Sequence, residues 1–598
     1  MRRLEMNVWS QRNMLAYTLV TEWRQIMKKI TFGESEKLIP SVFCKNFSFI
    51  ESEIKYPIEK IHFKKNARGC IITMPLAKDE QIYGAGLQLQ MFNLRGHKVV
   101  TRVNADPIAP TGDSHAPVPF FVSTMGYGVY LDTARYAEFH FGDSIPLKLS
   151  AVKDGKSNSV GVSTEELYGN VNDEVSEIAI QIPSAHGIDM YIIEGDTITD
   201  IVAQYNMLSG GGCTVPEWAL FPIYRCYTRY TEEQVLNSAE KLKNNGFKIG
   251  TIGLEPGWQS HSYSCSYVWD SGRYPHPQET IDKLRAMGYC INLWEHAFTN
   301  PASPIYESLL PYCGDRLVWN GLIPDFATSE AQRIFADYHK KIVNMGIDGF
   351  KLDECDSSDY KNNWSFPNLT EFPSGLDGEQ YHSLFGVLYM QTMMKAMDNK
   401  PTLSEVRNAG ALSASYPFVL YSDLYDHKDF LRGCATAGFS GLLWTPEVRD
   451  AKTKEEFLRR LQANVFSVQC LINAWYCQDF PWNELDCENE VKQLLEIREQ
   501  LVPMLLKAFD KYSKTGIPPV RALVSDYTND ANTYNIDNEY IFCDDLIVAP
   551  IAVGETERTV YLPKGEWVDY FTKEPVSSGH FTVKTDFIPV YEIRKDKR

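Results

Sequence analysis

The sequence predicts an α/β protein: a (β/α)8 TIM barrel catalytic domain flanked by an N-terminal β-sandwich and a short C-terminal β-sandwich. The first observation is that strand-like and helix-like segments alternate in eight units through the middle of the chain, which is the count and size of such a barrel. The second is that short β-like runs, broken by Gly, Asn, Asp and Pro, fill the chain on either side. A doubly wound open sheet is the structural alternative.

Length and composition limit the classes of function. The 598 residues suggest about three or four domains. The 59 basic and 77 acidic residues give a net charge of −18, which argues against nucleic acid or anionic lipid as a partner and favours a neutral substrate. No apolar run is long enough to span a membrane. The 13 cysteines form no CxxC pairs, so we expect reduced thiols in a cytoplasmic protein.

The N-terminal region divides into two predicted parts. Residues 1–26 begin with basic residues but lack the apolar core of a signal peptide, and we expect an unstructured extension. Residues 27–215 are predicted to form the N-terminal β-sandwich. Its predicted strands lie in residues 70–76, 126–134, 137–142, 145–152, 176–183 and 188–195.

The barrel is predicted over residues 216–520 and the C-terminal β-sandwich over residues 521–598. Segments with helical apolar spacing, such as residues 232–245, 278–288 and 454–466, separate the barrel strands. The predicted barrel strands are residues 219–226, 248–255, 289–295, 348–354, 401–406, 418–423, 438–444 and 470–475.

Acidic residues follow the ends of several predicted strands. The stretch GIDGFKLDECD, residues 346–356, is a short apolar run that ends in Asp353. In an α/β barrel the carboxyl ends of the strands form the face where chemistry is done. We therefore expect a ring of carboxylates at one mouth of the barrel, comprising Glu255, Glu295, Asp353, Asp423 and also Glu405 and Glu447.

Carboxylates beside tryptophans favour glycoside cleavage over metal binding. One carboxylate can attack an oxocarbenium-like centre while a second protonates the leaving oxygen. Trp258, Trp294 and Trp319 lie near the same strand ends, and apolar ring faces suit the C–H surface of a sugar better than a hydrated cation. Lys351 and Arg407 are positioned to hold Asp353 ionised. The sequence thus predicts neither a metal nor a cofactor.

Several motifs, in the same order along the chain, resemble those of glycoside hydrolase family 31, the retaining α-glucosidase and α-xylosidase family. The resemblance covers about residue 80 to 590. It is carried by YGAGLQLQMFNLRG (83–96), DGFKLDECD (348–356), SEVRNAGALSASYPFVLYSDLYDHKDFL (404–431), FCDDLIVAPI (542–551) and VYLPKGEWVDYF (560–571).

The resemblance implies a function and roles for individual residues. It implies a retaining exo-α-glycosidase, with an α-glucoside as the first choice of substrate and a galactose-mutarotase-like N-terminal domain. Asp353 would be the nucleophile and Asp423 the general acid/base. Arg407 would bind the sugar. The other implied substrate-binding residues are Glu255, Asp106, Trp319, Trp294, Glu295, Lys351, Trp258 and Asn473.

Departures from the family pattern leave the substrate open. Glu255 stands where the family usually has a DIDYM-like segment, and Lys351 stands where many members have Trp. Residues 354–356, Glu-Cys-Asp, replace the family's M-N-E. The alternatives within the family are an α-galactosidase, an α-N-acetylgalactosaminidase, an α-xylosidase or a transglycosylase. A carbohydrate-binding pseudo-enzyme is the non-enzymatic alternative, and a homo-oligomer is left open.

Overall fold

A computed structural model describes residues 25–105, 109–143, 177–358, 364–423 and 426–594. The predicted strand at residues 145–152 and Asp106 lie outside these ranges. The N-terminal strands are β1 (Met27–Gly33), β2 (His62–Lys65), β3 (Gly69–Pro75), β4 (Ile82–Gly84), β5 (Lys98–Val100), β6 (Phe120–Ser123), β7 (Tyr127–Asp132), β8 (Glu138–Phe141), β9 (Glu177–Pro183) and β10 (Gly187–Glu194).

These strands form two antiparallel sheets, ordered β1-β10-β7-β6-β4 and β2-β3-β9-β8-β5. Apolar side chains such as Ile72, Phe121 and Ile180 fill the space between the sheets, as expected of a β-sandwich. A short helix α1 (Pro40–Phe43) follows β1, and α2 (Ile198–Met207) leads out of the sandwich. Helix α2 begins at Thr197, which forms a capping box with Asp200.

The central part is a parallel barrel, which confirms the predicted fold class. Its strands succeed one another around the barrel in chain order, so the open-sheet alternative is excluded. The strands are β11 (Ile223–Arg225), β12 (Thr251–Leu254), β13 (Cys290–His296), β16 (Gly349–Asp353), β17 (Ser404–Val406), β18 (Phe418–Leu420), β19 (Glu447–Val448) and β20 (Leu471–Asn473), with the hairpin β14 (Cys313–Val318) and β15 (Gly321–Pro324) inserted after β13.

The barrel closes between β18 and the segment that leads into β19. The backbone N–H of Leu420 donates to the carbonyl of Leu443 at 2.8 Å, and the N–H of Thr445 donates to the carbonyl of Leu420 at 2.9 Å. The seventh strand therefore differs from the predicted residues 438–444. The chain there first forms a 3₁₀ turn that ends at Gly441, with φ of +70°, and β19 begins only at Glu447.

Helices surround the barrel. Their N-termini carry the expected caps, since the side chains of Thr231 and Thr328 accept backbone N–H groups in the first turns of the helices that follow them. The helices are α3 (Glu232–Asn244), α4 (Pro277–Ala286), α5 (Tyr306–Leu309), α6 (Ser329–Asn344), α7 (Gly378–Met397), α8 (His427–Thr436), α9 (Lys454–Val465), α10 (Pro481–Glu484) and α11 (Glu488–Thr515).

The C-terminal part is again antiparallel β. One sheet has the order β21-β22-β23-β28-β25-β26, and β24 pairs with β27. The elements are β21 (Val520–Ala522), α12 (Leu523–Asp526), β22 (Tyr540–Phe542), β23 (Leu546–Val548), β24 (Glu557–Leu562), β25 (Trp567–Asp569), β26 (Pro575–Val576), β27 (Gly579–Lys584) and β28 (Val590–Ile593).

One hydrophobic core joins the barrel to both sandwiches. It runs from Phe120 in the first sandwich through Leu352 in the barrel to Phe542 in the last domain. The three parts therefore pack as one body, and the first sandwich can supply residues to the barrel mouth. All thirteen cysteines are free thiols. No helix in the described ranges combines the length and apolarity needed to cross a bilayer.

Candidate active site

Asp353 is the last residue of β16 and is held by two donors. The indole Nε1 of Trp294 donates to its Oδ2 at 2.7 Å, and the backbone N–H of Glu354 donates to its Oδ1 at 2.9 Å. Side chains alternate between the two faces of a strand, so Trp294 and His296 lie on the same face of β13. Because the register pairs His296 with Asp353 of β16, Trp294 and Asp353 both point into the barrel. The carboxyl of Asp353 thus has a fixed orientation at the carboxyl end of the strands.

Arg407 follows β17 and bridges the acids of the mouth. Its Nε donates to Oδ2 of Asp356 at 2.9 Å, and its Nη1 donates to Oδ2 of Asp423 at 2.8 Å. The same Nε lies 3.9 Å from Oδ1 of Asp353. Arg407 is buried. One guanidinium therefore contacts Asp353 and Asp423, the two predicted catalytic residues.

Asp423 is half-exposed and bound to two arginines. In addition to Arg407, Nη1 of Arg449 lies 3.3 Å from its Oδ1. Partial burial acts to raise its pKa, but the charges of Arg407, Lys351 and Arg449 outweigh that effect and hold the pKa of Asp423 well below its usual range. The carboxyl of Asp423 is consequently ionised in the free protein.

His115, from the first sandwich, completes the arrangement at Asp356. Its Nδ1 lies 2.7 Å from Oδ2 of Asp356, and its Nε2 lies 2.8 Å from Oγ of Ser422. Although burial raises the pKa of Asp356, Arg407 and His115 lower it, and the net shift is downward. Asp356 therefore fixes the orientation of Arg407, and His115 connects Asp356 to the N-terminal domain.

The floor of the site is a buried ion network around Lys351. The Nζ of Lys351 lies 2.9 Å from Oε1 of Glu447 and 3.6 Å from Oε1 of Glu255. It also lies 4.5 Å from the centroid of the Tyr421 ring. Asn473 donates from Nδ2 to Oε2 of Glu447 at 2.9 Å. Lys351 thus pairs directly with Glu447 and Glu255, and its charge also interacts with that of Asp353.

A second buried cation, Arg225, lies deeper in the barrel. It contacts Glu255 through Nε and donates from Nη1 to Oδ1 of Asn292 at 2.8 Å. Glu405 lies 3.5 Å from the same Nη1, and burial raises its pKa to about 7 despite Arg225. Gly253 makes room for this side chain, because a Cβ there would lie 2.7 Å from Cγ of Arg225.

Aromatic rings form one wall of the mouth. The β14–β15 hairpin carries Trp319 at its turn, where Trp319 and Asn320 have φ of +48° and +61°. The Trp319 ring centroid lies 5.3 Å from that of His296 and 5.0 Å from that of Tyr263. Tyr263 in turn lies 5.5 Å from Trp294. Such a wall of ring faces and edges can pack against the apolar surface of a sugar.

Comparison with known proteins decides the family. A profile of the Glycosyl hydrolases family 31 TIM-barrel domain matches residues 213–508. The Glycosyl hydrolase family 31 C-terminal domain matches residues 516–596, and the Glycosyl hydrolase 31 N-terminal galactose mutarotase-like domain matches residues 45–140. The chain belongs to glycoside hydrolase family 31. It is a glycoside hydrolase by this relationship.

Several proteins similar to this family 31 enzyme share less than a quarter of its residues. An alpha-xylosidase of Emericella nidulans is 23% identical, over 95% of this chain and 72% of the relative. An alpha-glucosidase of Saccharolobus solfataricus is also 23% identical, over 75% of this chain and 72% of the relative. The Flavobacterium johnsoniae GH31 dextranase, solved in complex with glucose, superposes with a TM-score of 0.76 at 21% identity, covering 89% of this chain and 67% of that chain.

Most of the predicted site residues of the family 31 enzyme lie in one connected network. Trp258 supports this network without facing the mouth: it is fully buried, and its Nε1 donates to the carbonyl of Trp294 at 2.7 Å. Asp106 lies outside the described residues. The residues brought together are Asp353, Asp423, Arg407, Glu255, Lys351, Asn473, Trp294 and Trp319.

Glu295 is the predicted site residue that the structure places elsewhere. It lies between Trp294 and His296 on β13, and strand alternation turns its side chain outward to the helices. Its Oε1 accepts from the hydroxyl of Tyr389 at 2.8 Å, and its Oε2 lies 3.2 Å from Nε2 of His339. Glu295 therefore joins β13 to α6 and α7, outside the barrel.

Sequence reasoning missed His115 and Arg449, and it left Asp356 without a role. Asp356 carries a signal, since it belongs to the acidic end of the β16 segment. His115 is separated from Asp356 by 241 positions, and nothing in its local sequence indicates the contact. Arg449 follows β19, so it could be found only once the position of that strand was known.

Proposed function

We propose that this family 31 enzyme is a retaining exo-acting α-glycosidase that hydrolyses terminal, non-reducing α-linked sugars, with an α-glucoside as the first substrate to test. The observation that carries the proposal is the shared guanidinium of Arg407, which contacts Asp353 on one side and Asp423 on the other. Two carboxyls from different strands, at the same barrel mouth, are the requirement for double displacement.

In the proposed mechanism Asp353 attacks C1 of the sugar and forms a covalent β-glycosyl intermediate. Trp294 and the backbone N–H of Glu354 orient the attacking carboxylate. Asp423 protonates the leaving oxygen and then removes a proton from the water that attacks C1. Retention requires the two carboxyls to lie about 5–5.5 Å apart in the working complex.

The ionised state of Asp423 in the free protein adds a condition to this mechanism. Asp423 must carry a proton to act as an acid, while Arg407 and Arg449 both favour its charged form. The entering sugar must therefore separate Asp423 from at least one arginine. Arg449 is the candidate, because its contact is longer and Arg407 is fixed by Asp356.

The charges around the barrel mouth support a neutral sugar. The carboxyls of Glu255, Glu405, Glu447, Asp353, Asp356 and Asp423 outnumber the cations of Arg225, Lys351, Arg407 and Arg449. A sulfonated or carboxylated sugar would meet repulsion, because these four cations are already paired with carboxyls. The free state of all thirteen cysteines further supports a reducing compartment, and we propose the cytoplasm.

The test is hydrolysis of a panel of p-nitrophenyl α-glycosides carrying glucose, xylose, galactose and N-acetylgalactosamine. We expect turnover of at least one member by the wild type and loss of turnover in Asp353→Ala. Activity of Asp353→Ala at the wild-type level would remove Asp353 from its role. An Asp423→Ala variant should lose less activity on a glycosyl fluoride than on an alkyl α-glycoside, because fluoride departs without a proton and an alkoxide does not.

The same panel separates the alternatives within the family. The preferred glycoside distinguishes an α-glucosidase from an α-xylosidase, an α-galactosidase or an α-N-acetylgalactosaminidase. Product analysis at high acceptor concentration distinguishes hydrolysis from transglycosylation. Sugar binding without any covalent intermediate would favour a carbohydrate-binding pseudo-enzyme.

A further inference from the structure

Glu354 occupies a strained position beside Asp353. It follows directly after β16 with φ of +57°, in the left-handed region that an L residue other than glycine adopts only at a cost. Its backbone N–H donates to Oδ1 of Asp353 at 2.9 Å. The turn that orients Asp353 therefore also fixes the direction in which the Glu354 side chain leaves the backbone.

The surroundings of Glu354 favour its neutral form. Burial has the largest effect and raises its pKa, and the negative charges of Asp353, Asp356 and Asp423 raise it further. Arg407 acts in the opposite direction, but the net pKa stays well above the usual range for a glutamate. A protonated carboxyl has one O–H donor and retains an acceptor oxygen.

The contacts of the Glu354 carboxyl differ from those of its acidic neighbours. Within the part of the chain that the structure describes, neither of its oxygens forms a hydrogen bond or an ion pair. The carboxyls of Asp353, Asp356 and Asp423 all have partners. A partly buried polar group without a partner is costly unless a ligand supplies one, so Glu354 has the character of a ligand-binding group.

We propose that Glu354 is a specificity residue of the sugar site, whose carboxyl O–H donates a hydrogen bond to the oxygen-bearing substituent on C2 of the bound sugar. The inference rests on the proposed function, in which Asp353 attacks C1. The Glu354 carboxyl interacts with the charges of Asp353, Arg407 and Asp423, so it lies among the groups that would surround C1. The ring oxygen is one neighbour, but it loses electron density as the oxocarbenium-like centre forms. The C2 substituent is the acceptor that remains.

The acceptor on C2 can be a hydroxyl oxygen or the carbonyl of an acetamido group. Both accept the same hydrogen bond, and the experiment distinguishes them through the choice of sugar. Methionine is the matched apolar replacement for Glu354, because it is unbranched and of similar length. Glutamine is the conservative replacement, because its amide keeps a donor in place of the carboxyl O–H.

The first measurement compares kcat/KM for the best p-nitrophenyl α-glycoside with kcat/KM for its 2-deoxy analogue. We expect Glu354→Met to lose about tenfold or more on the 2-substituted glycoside and much less on the 2-deoxy glycoside. Glu354→Gln should lose less than Glu354→Met on the 2-substituted glycoside. An equal loss of Glu354→Met on both substrates, or no loss on either, would overturn the proposal.

The second measurement is independent of turnover. Calorimetry follows binding of D-glucose, D-galactose and N-acetyl-D-galactosamine, with 2-deoxy-D-glucose and 2-deoxy-D-galactose as comparisons. We expect the wild type to bind one 2-substituted sugar more tightly than its 2-deoxy form, and Glu354→Met to lose that difference. Such discrimination without turnover would refute the proposed hydrolase function alone. Turnover without discrimination, or no binding of any of these sugars, would overturn the role of Glu354.

Discussion

The Nη1 atom of Arg407 lies 2.8 Å from Oδ2 of Asp423. Arg449 approaches the other oxygen of the same carboxyl at 3.3 Å. The proposed proton donor, Asp423, is therefore held in its charged form before the substrate arrives. The pH dependence of the reaction should depend on these two arginines.

The first prediction concerns Arg449→Met. Loss of one cation removes part of the interaction that lowers the pKa of Asp423, so that pKa rises. More of the enzyme then carries the required proton at a given pH. The basic limb of the kcat/KM profile, which reports the proton of the free enzyme's acid, should move to higher pH. The measurement is the full pH–rate profile of both proteins.

A matched control is Arg333→Met, which removes an exposed arginine paired with Asp337 on α6. It should leave the basic limb in place. A basic limb of Arg449→Met that stays at the wild-type pH, or moves to lower pH, would contradict the assignment of Asp423 as the proton donor.

The second prediction concerns Lys351→Met in the floor of the site. Lys351 is buried between Glu447 and Glu255, and its removal leaves the buried carboxyl of Glu447 without this cation, while Glu255 keeps Arg225. Breaking a buried pair in this way costs about 3–5 kcal/mol. We expect a marked fall in the thermal midpoint together with loss of activity, measured by calorimetry and by kcat/KM.

The control for Lys351 is Lys340→Met, because Lys340 forms a largely exposed pair with Asp398. Loss of that pair should cost less than about 1 kcal/mol. The double variant Lys351→Met with Glu447→Gln should recover part of the lost stability, since one uncompensated charge is removed with the lysine. Lack of any recovery would show that Lys351 does not act through Glu447.

The third prediction concerns Glu295→Gln and tests the outward placement of this side chain. Glu295 accepts from Tyr389 and contacts His339 on the helices around the barrel. The variant should have a lower thermal midpoint, because a charged acceptor is lost in a buried site, while kcat/KM stays close to the wild-type value. A large fall in kcat/KM with an unchanged thermal midpoint would instead place Glu295 in the sugar site.

The sequence predicts the fold well because strand and helix periodicities differ clearly. Each buried parallel strand is a short apolar run, and each helix begins at a residue such as Thr231 or Thr328 whose capping role is local. The predicted seventh strand is misplaced because GFSGLLW, apart from Ser440, has no polar side chain. Its first half continues α8 as a 3₁₀ turn up to Gly441. Apolar composition does not distinguish a buried helical turn from a buried strand.

The sequence predicts those site residues that lie at or just after the end of a strand. Asp353, Arg407 and Asp423 all lie at or just after strands, and the structure brings them together. Glu295 also lies near the end of a strand, but its side chain points out of the barrel. Successive side chains of a strand point to opposite faces, and the register decides which of them face the barrel interior. The contact of His115 with Asp356 joins two domains, and such a contact is specified only by the packing of the whole chain.

The central claim is that Asp353 becomes covalently bound to the sugar. The most direct measurement is trapping of the wild type with a 5-fluoro-α-glycosyl fluoride of the preferred sugar, followed by proteolysis and mass spectrometry of the labelled peptide. The account predicts one glycosyl adduct, carried by Asp353. An adduct on Asp356 or Asp423, or an active enzyme that the reagent never labels, would contradict it.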